Sequence, residues 1–290
     1  MSYSHKPVLL KEVIEFLNVQ TGAKYIDATV GGGGYAIEIL KLGGIVLGID
    51  LDKDAIDYIK NKFKIDKELV LARGNFAEIK NIAEENGFTD IEGVVFDLGL
   101  SSYQIEESGR GFSFLRDEPL DMRMDSGGSG FTAADIVNKW SKEELYELFT
   151  KMGEERFSHP IIHNIIRARR IKPIKSSLEL AKIVSEAVPE KSGIHPATKV
   201  FQALRIAVND EINNLKRGIS GAFGVLNRGG RIAVVSFQSL EDRIVKNDFR
   251  NYQKEGRGRI ITKKPIIASQ EEIKSNRRAR SAKLRVIEKI

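Results

Sequence analysis

No cysteine occurs in the 290 residues. Disulfides, thiolate metal sites and a cysteine nucleophile are therefore excluded, and a reducing, cytoplasmic setting is expected. No apolar run approaches the length of a membrane span, so no membrane partner is expected. The first ten residues, MSYSHKPVLL, lack the apolar core of a secretory signal. Histidines number only four. His159 and His163 stand at i and i+4, but without the glutamate of an HExxH motif or a third ligand, so no metal site is expected. The single tryptophan, Trp140, reads as a core residue rather than a base-stacking platform. No internal repeat is present.

Hydrophobic residues make up 41% and charged residues 30% of the chain, the balance of a globular protein with ample material for a core. The net charge of +6 is local. Residues 254–283 hold ten Lys/Arg against three Asp/Glu, or +7, so the remainder nets −1. A basic segment of this kind is either a polyanion-binding surface or a solvated loop.

The most informative stretch is Tyr25–Asp50, YIDATVGGGGYAIEILKLGGIVLGID. It reads as strand, glycine turn (Gly31 to Gly34), helix, strand, acid. Glycine lets the backbone approach a ligand, and the helix that follows aims free N–H groups at the same point. Gly31-x-Gly33-x-x-Ala36, with Asp50 19 residues after Gly31, also fits a dinucleotide fingerprint. The motif thus points to an adenosine-containing ligand without choosing between a nicotinamide cofactor and S-adenosylmethionine.

Periodicity predicts a helix over 7–18, strands at 69–72 and 93–97, and helices over 52–63 and around 79–83. Alternation of strand and helix implies a parallel α/β sheet, whose ligands sit beyond the carboxyl ends of the strands. Asp27, Asp50, Phe76 and Asp97 all fall there. From Ser101 to about Lys199 no strand is evident. Instead, helices are expected at 132–140, 141–152 (Ser141 and Glu144 forming a capping box), around 161–166 and at 177–188. Arg156, Arg167, Arg169, Arg170, Lys172 and Lys175 could form a second basic face. A long helix from 196 to 217 is expected to return the chain to the sheet. A turn at 226–231, a strand at 232–237, a helix at 240–251 capped by Ser239, a short strand at 259–262 and a closing strand at 283–287 follow. The resulting organisation is 1–104, a helical insertion at 105–199 for substrate recognition, and 200–290.

Acids at three strand ends suit a cationic sulfonium better than an anionic pyrophosphate. The longer motifs then carry a closer likeness: His5-Lys6-Pro7-Val8, Asp97-Leu98-Gly99-Leu100-Ser101-Ser102, Arg110-Gly111-Phe112-Ser113-Phe114, Leu120-Asp121-Met122-Arg123-Met124-Asp125, Gly153-Glu154-Glu155-Arg156-Phe157, His195-Pro196-Ala197-Thr198, Ser239-Leu240-Glu241-Asp242-Arg243 and Arg278-Ala279-Arg280-Ser281. In this order, and across nearly the whole chain, the sequence resembles the bacterial MraW (RsmH) family, which methylates N4 of a cytidine in the decoding region of 16S ribosomal RNA. The resemblance implies a class I S-adenosylmethionine-dependent methyltransferase sheet with an inserted helical domain, and 16S ribosomal RNA as partner, with the choice between free RNA and RNA within the small ribosomal subunit left open. It implies cofactor contacts at Gly33, Gly34, Tyr35, Asp50, Phe76, Asp97 and Gln104, with Asp97 as the catalytic candidate. Arg123, Arg243, Arg277, Arg278 and Arg280 become candidates for RNA contact. Tyr35 and Gln238 both stand where the family commonly has histidine. Two other readings stay open at this point: a nicotinamide-dependent oxidoreductase, and a ribosome-binding factor without activity. Oligomeric state is also open, a homodimer included. So is the role of the Asp121–Arg123–Asp125 stretch, which could be an ion-paired loop or part of the active site.

Overall fold

The computed structural model describes residues 7–63, 67–125, 127, 130–189 and 195–290. His5 and Lys6, which open the first of the matching motifs, lie outside them. The chain divides into two compact units, one built from residues up to 101 together with 212–290, the other from 102–211. The expected boundaries were 105 and 199.

In the first unit the order is α1 (Leu10–Leu17), β1 (Lys24–Asp27), α2 (Gly34–Lys41), β2 (Ile45–Asp50), α3 (Lys53–Lys62), β3 (Leu69–Arg73), α4 (Ile79–Glu85) and β4 (Ile91–Asp97). The second unit carries α5 (Ser102–Glu106), α6 (Ala133–Lys139), α7 (Lys142–Lys151), α8 (Ser158–Ile171), α9 (Ser177–Ser185) and α10 (Thr198–Val208). The chain then runs through α11 (Glu211–Val225), β5 (Leu226–Ser236), α12 (Ser239–Lys254), β6 (Gly258–Ile260), α13 (Gln270–Ser275), a 3-10 turn at Arg277–Ser281, and β7 (Lys283–Lys289).

The seven strands form one sheet in the order β3-β2-β1-β4-β5-β7-β6. β1 to β5 are parallel, and β7 runs antiparallel between β5 and β6. This is the topology of class I S-adenosylmethionine-dependent methyltransferases. Alternate residues of each strand face opposite sides. Tyr25, Val46, Val95, Val235 and Leu284 pack with Val13, Leu17, Ile39 and Ile59 on one face. Ile26, Leu47, Val94, Phe96 and Val234 pack with Ile79, Leu215, Ile219, Phe223 and Phe249 on the other. Burial on both faces explains why the strands read as unbroken apolar runs.

Several sequence expectations shift. The long helix of 196–217 is two helices, interrupted at Asp210, whose φ is +48°. Asn209 supplies the reason. Its side chain donates to the Met122 carbonyl at 2.8 Å and accepts from the Met124 N–H at 2.8 Å, bonds that hold the break in place. β5 starts at Leu226, inside the expected turn. Its register on β4 jumps from Ile91–Leu226 to Gly93–Arg231, so the turn residues form an irregularity within the strand rather than a loop before it. The last strand in sequence is not the outermost in space. α12 is capped from Gln238, not Ser239, with the Glu241 carboxylate accepting from the N–H groups of Phe237 (3.1 Å) and Gln238 (3.2 Å).

The helical unit has its own core, which includes Ile136, Leu145, Phe149, Ile161, Ile165, Leu180, Val200 and Leu204, all fully buried. Capping boxes start α6 (Thr132 with Asp135) and α7 (Ser141 with Glu144), and Ser176 caps α9. Trp140 departs from its expected core position: it is only half-buried at the end of α6, tilted against the exposed ring of Phe131.

Candidate methyl-donor site

The parallel strands converge, at their carboxyl ends, on three acids. β1 delivers Asp27, β2 Asp50 and β4 Asp97. The glycine turn joins them. Asp50 uses both oxygens locally, Oδ2 accepting from the Gly31 N–H at 2.8 Å and Oδ1 from the Asp52 N–H at 2.9 Å. Thr29 bridges the other two: its hydroxyl accepts from the Asp97 N–H at 2.7 Å, while its own N–H donates to Asp27 Oδ1 at 3.3 Å.

Two oxygens in this group have no protein partner. Asp27 Oδ2 and Asp97 Oδ1 are both buried and accept no hydrogen bond. Buried acceptors are nearly always satisfied, so two orphans at adjoining strand ends mark a place where donors arrive from outside the chain. Burial accordingly raises the carboxyls. Asp27 is pushed up to about 7 by burial, with the Asp97 and Asp50 charges adding to the effect and the Thr29 N–H and, more weakly, the Ala36 N–H opposing it. Asp97 is likewise pushed up to about 7 by burial, the Arg278 guanidinium pulling it down and Glu241 pushing it further up. Asp50 rises to about 6, again chiefly by burial, against the bonds from Asp52 and Gly31. A cationic, amine-bearing and hydroxyl-bearing ligand answers both orphaned oxygens and all three raised carboxyls, which is the donor set of S-adenosylmethionine.

Gly33 caps α2 at φ +82°. Gly34 begins the helix with Pro7 against it: a Cβ there would lie 2.7 Å from Pro7 Cγ, so only glycine permits this approach. Tyr35 is buried, and its hydroxyl donates to the Val8 carbonyl. Burial, with the charges of Asp97, Asp27 and Glu272, raises the phenol well above its ordinary value, so it stays protonated. Where the family commonly has histidine, this chain therefore has a neutral hydroxyl tied to its own N-terminal segment. Phe76 follows β3, packing edge-on to Phe96 (5.6 Å, 87°) and against Gly218 of α11. Gln104 is buried on α5, in the second unit.

The five arginine candidates divide. Arg123 forks onto Asp121 (Nε–Oδ1 2.7 Å, Nη2–Oδ2 2.8 Å), and Arg110 Nη1 donates to the carbonyls of Arg123 and Met124. Asp121–Arg123 is thus an ion-paired loop inside the helical unit. Arg243, Arg277 and Arg280 are exposed, whereas Arg278 is half-buried and donates to the Leu100 carbonyl. The Glu241-Asp242-Arg243 block separates likewise: Glu241 caps α12, Asp242 binds Arg285 (Nε–Oδ1 2.5 Å) and Lys283 on β7, and Arg243 points out. In the second basic face, Arg169 turns inward to the Val137 and Trp140 carbonyls, both at 2.8 Å, and Lys172 pairs with Glu179. Asp27 was expected among the strand-end acids around the ligand, though with no contact assigned to it; Thr29 was not expected. The signal for Thr29 was a hydroxyl two residues beyond the acid that closes a buried strand.

No helix among the described residues is long and apolar enough to cross a membrane. The family model described as the MraW methylase family matches residues 2–290. A curated "Ribosomal RNA small subunit methyltransferase H" of Carboxydothermus hydrogenoformans is 45% identical, over 100% of this chain and 99% of that protein. The proteins of the same name from Halothermothrix orenii (44% identical, 99% of this chain, 98% of that protein) and Clostridium botulinum (42% identical, 100% of both) align as fully. A methylase fold, orphaned carboxylates suited to a sulfonium donor and full-length similarity replace the nicotinamide reading: this chain belongs to the MraW methylase family.

Proposed function

We propose that the protein transfers the methyl group of S-adenosylmethionine to the exocyclic N4 of a cytidine in the decoding region of 16S ribosomal RNA. The observation that carries the reading is the pair of orphaned buried oxygens on Asp27 and Asp97 beside the glycine turn. Gly33, Gly34 and the Tyr35 main chain would hold the methionine part of the donor, Asp50 would take the ribose hydroxyls and Phe76 would serve the adenine. Bound there, the donor supplies an electrophilic methyl group.

The chemistry left to the protein is placement and proton handling. The lone pair of a cytosine amine is conjugated into the ring, so acceptors for its N–H bonds must localise it for attack. Asp97 Oδ1, the Leu98 carbonyl and the Ser101 hydroxyl stand at or just after the β4 end and are the candidate acceptors. Alignment to within roughly 3–3.5 Å supplies much of the acceleration. Extruding the base from a stacked strand costs on the order of a few kcal/mol, and less where it is already unpaired. The exposed Arg277, Arg280 and Arg243 are assigned to phosphate contacts, which position RNA without reading its sequence.

The deciding experiment incubates the protein with labelled S-adenosylmethionine and either free 16S RNA or small subunits, then maps the label. Label on N4 of one cytidine supports the reading. Salt-sensitive RNA binding with no label would leave a binding factor without activity.

A further inference from the structure

The 3-10 turn at Arg277–Ser281 sends its arginines two ways. Arg277 and Arg280 are exposed, while Arg278 lies half-buried with its guanidinium on the Leu100 carbonyl. The turn is anchored for this: the Asn276 side chain accepts from the Arg278 N–H at 3.2 Å, and Ala279 is buried at 1% exposure. Leu100 belongs to the segment that leaves β4, three residues beyond Asp97. The same guanidinium acts through space on Asp97 and on Tyr35. The other groups whose charges act on Asp97, Tyr35 or Asp27 here are Asp27 on β1, Tyr35 on α2, Asp50 on β2, Glu241 on α12 and Glu272 on α13. All are acids, carboxylic or phenolic. Guanidinium keeps its charge at any working pH and has five donors, so it can hold a carbonyl and still project a field.

We infer that Arg278 is a positioning residue of the transfer site. It pins the Leu98–Ser101 segment through the Leu100 carbonyl and places a fixed positive charge beside the strand-end acids, instead of binding an RNA phosphate. The catalytic consequence rests on the proposed methyl transfer; the electrostatic part does not.

The test uses the full chain with Asp97 observed by carbon-13 NMR in the absence of donor and RNA. In Arg278→Gln the titration midpoint of Asp97 should rise by about one pH unit. In Arg278→Lys, which keeps the charge and loses the fork, the midpoint should stay within about 0.3 unit of the parent while turnover falls about tenfold or more. Arg280→Gln should leave the midpoint alone, weaken RNA binding and reduce the salt slope by about one. RNA affinity of Arg278→Gln should stay within about twofold of the parent. An unmoved midpoint in Arg278→Gln, or a loss of RNA affinity equal to that of Arg280→Gln, would overturn the inference. Should Arg278→Gln not fold, Arg278→Lys decides alone: a shifted midpoint with unchanged turnover sinks it. Absence of transfer by the parent protein would refute the methylation reading and leave the titration result standing.

Discussion

The carboxylates of the helical unit and those at the β1, β2 and β4 ends are treated in opposite ways. In the helical unit they are given donors. Asp121 holds Arg123, Asp135 accepts from Thr132 and pairs with Lys139, Glu144 caps α7 and Glu179 meets Lys172. For Asp135 and Glu144 the hydrogen bonds dominate and lower the carboxyls; for Asp121 and Glu179 burial pushes the other way but the partners prevail. At the sheet edge, burial prevails and Asp27, Asp50 and Asp97 are all raised. The helical unit uses its acids to hold itself together. The sheet unit keeps the three acids at its strand ends under strain, as functional sites commonly do, while Asp242 on α12 is paired with Arg285.

The contrast is sharpest at Asp97. Asp97→Asn should lower the transfer rate by about a thousandfold, roughly 4 kcal/mol of barrier, with no loss of folding stability at pH 8. Single-turnover kinetics beside a urea titration would read both, and a transfer rate within tenfold of the parent would break the comparison. Next in size is Phe149→Ala in the buried core of the helical unit. It should cost about 3–5 kcal/mol in a denaturant titration with no change in the Asp97 titration.

The pH dependence follows from the raised carboxyls. A folded state that holds protons on Asp27 and Asp97 up to about 7 binds more protons than the unfolded chain between about pH 4 and 7. The stability these groups confer is therefore full at low pH and lost as pH rises through 7. The donor-free protein should melt at a higher temperature at pH 5.5 than at pH 8, and Asp27→Asn should flatten that slope. Affinity for the cationic donor, measured by calorimetry, should run the other way and strengthen over the same window. The smallest effect belongs to an acid of the other kind: Thr132→Ala removes one half of the α6 capping box and should cost about 1 kcal/mol, independent of pH above 5.

Much of this contrast was legible before any coordinates. Asp27, Asp50 and Asp97 each close an apolar run, and Ser141 with Glu144 spells a capping box at fixed spacing. What could not be read depends on partners remote in sequence. The break at Asp210 is set by Asn209 reaching back to Met122 and Met124. In the run Arg277-Arg278-Ala279-Arg280 nothing local says that Arg278 alone turns toward Leu100. Arg169 looked like one more cation on a basic face, yet the Val137 and Trp140 carbonyls take it inward.

β7 pairs on one side with β5 and on the other with β6. During synthesis both of those neighbours emerge before it does. Until residues 283–289 leave the exit tunnel, β5 carries an open edge over Arg231–Ser236, free to pair with another chain. Polypeptides halted just short of Lys283 should therefore need holding by a chaperone, and completion of the sheet becomes a late, all-at-once event in the life of the nascent protein.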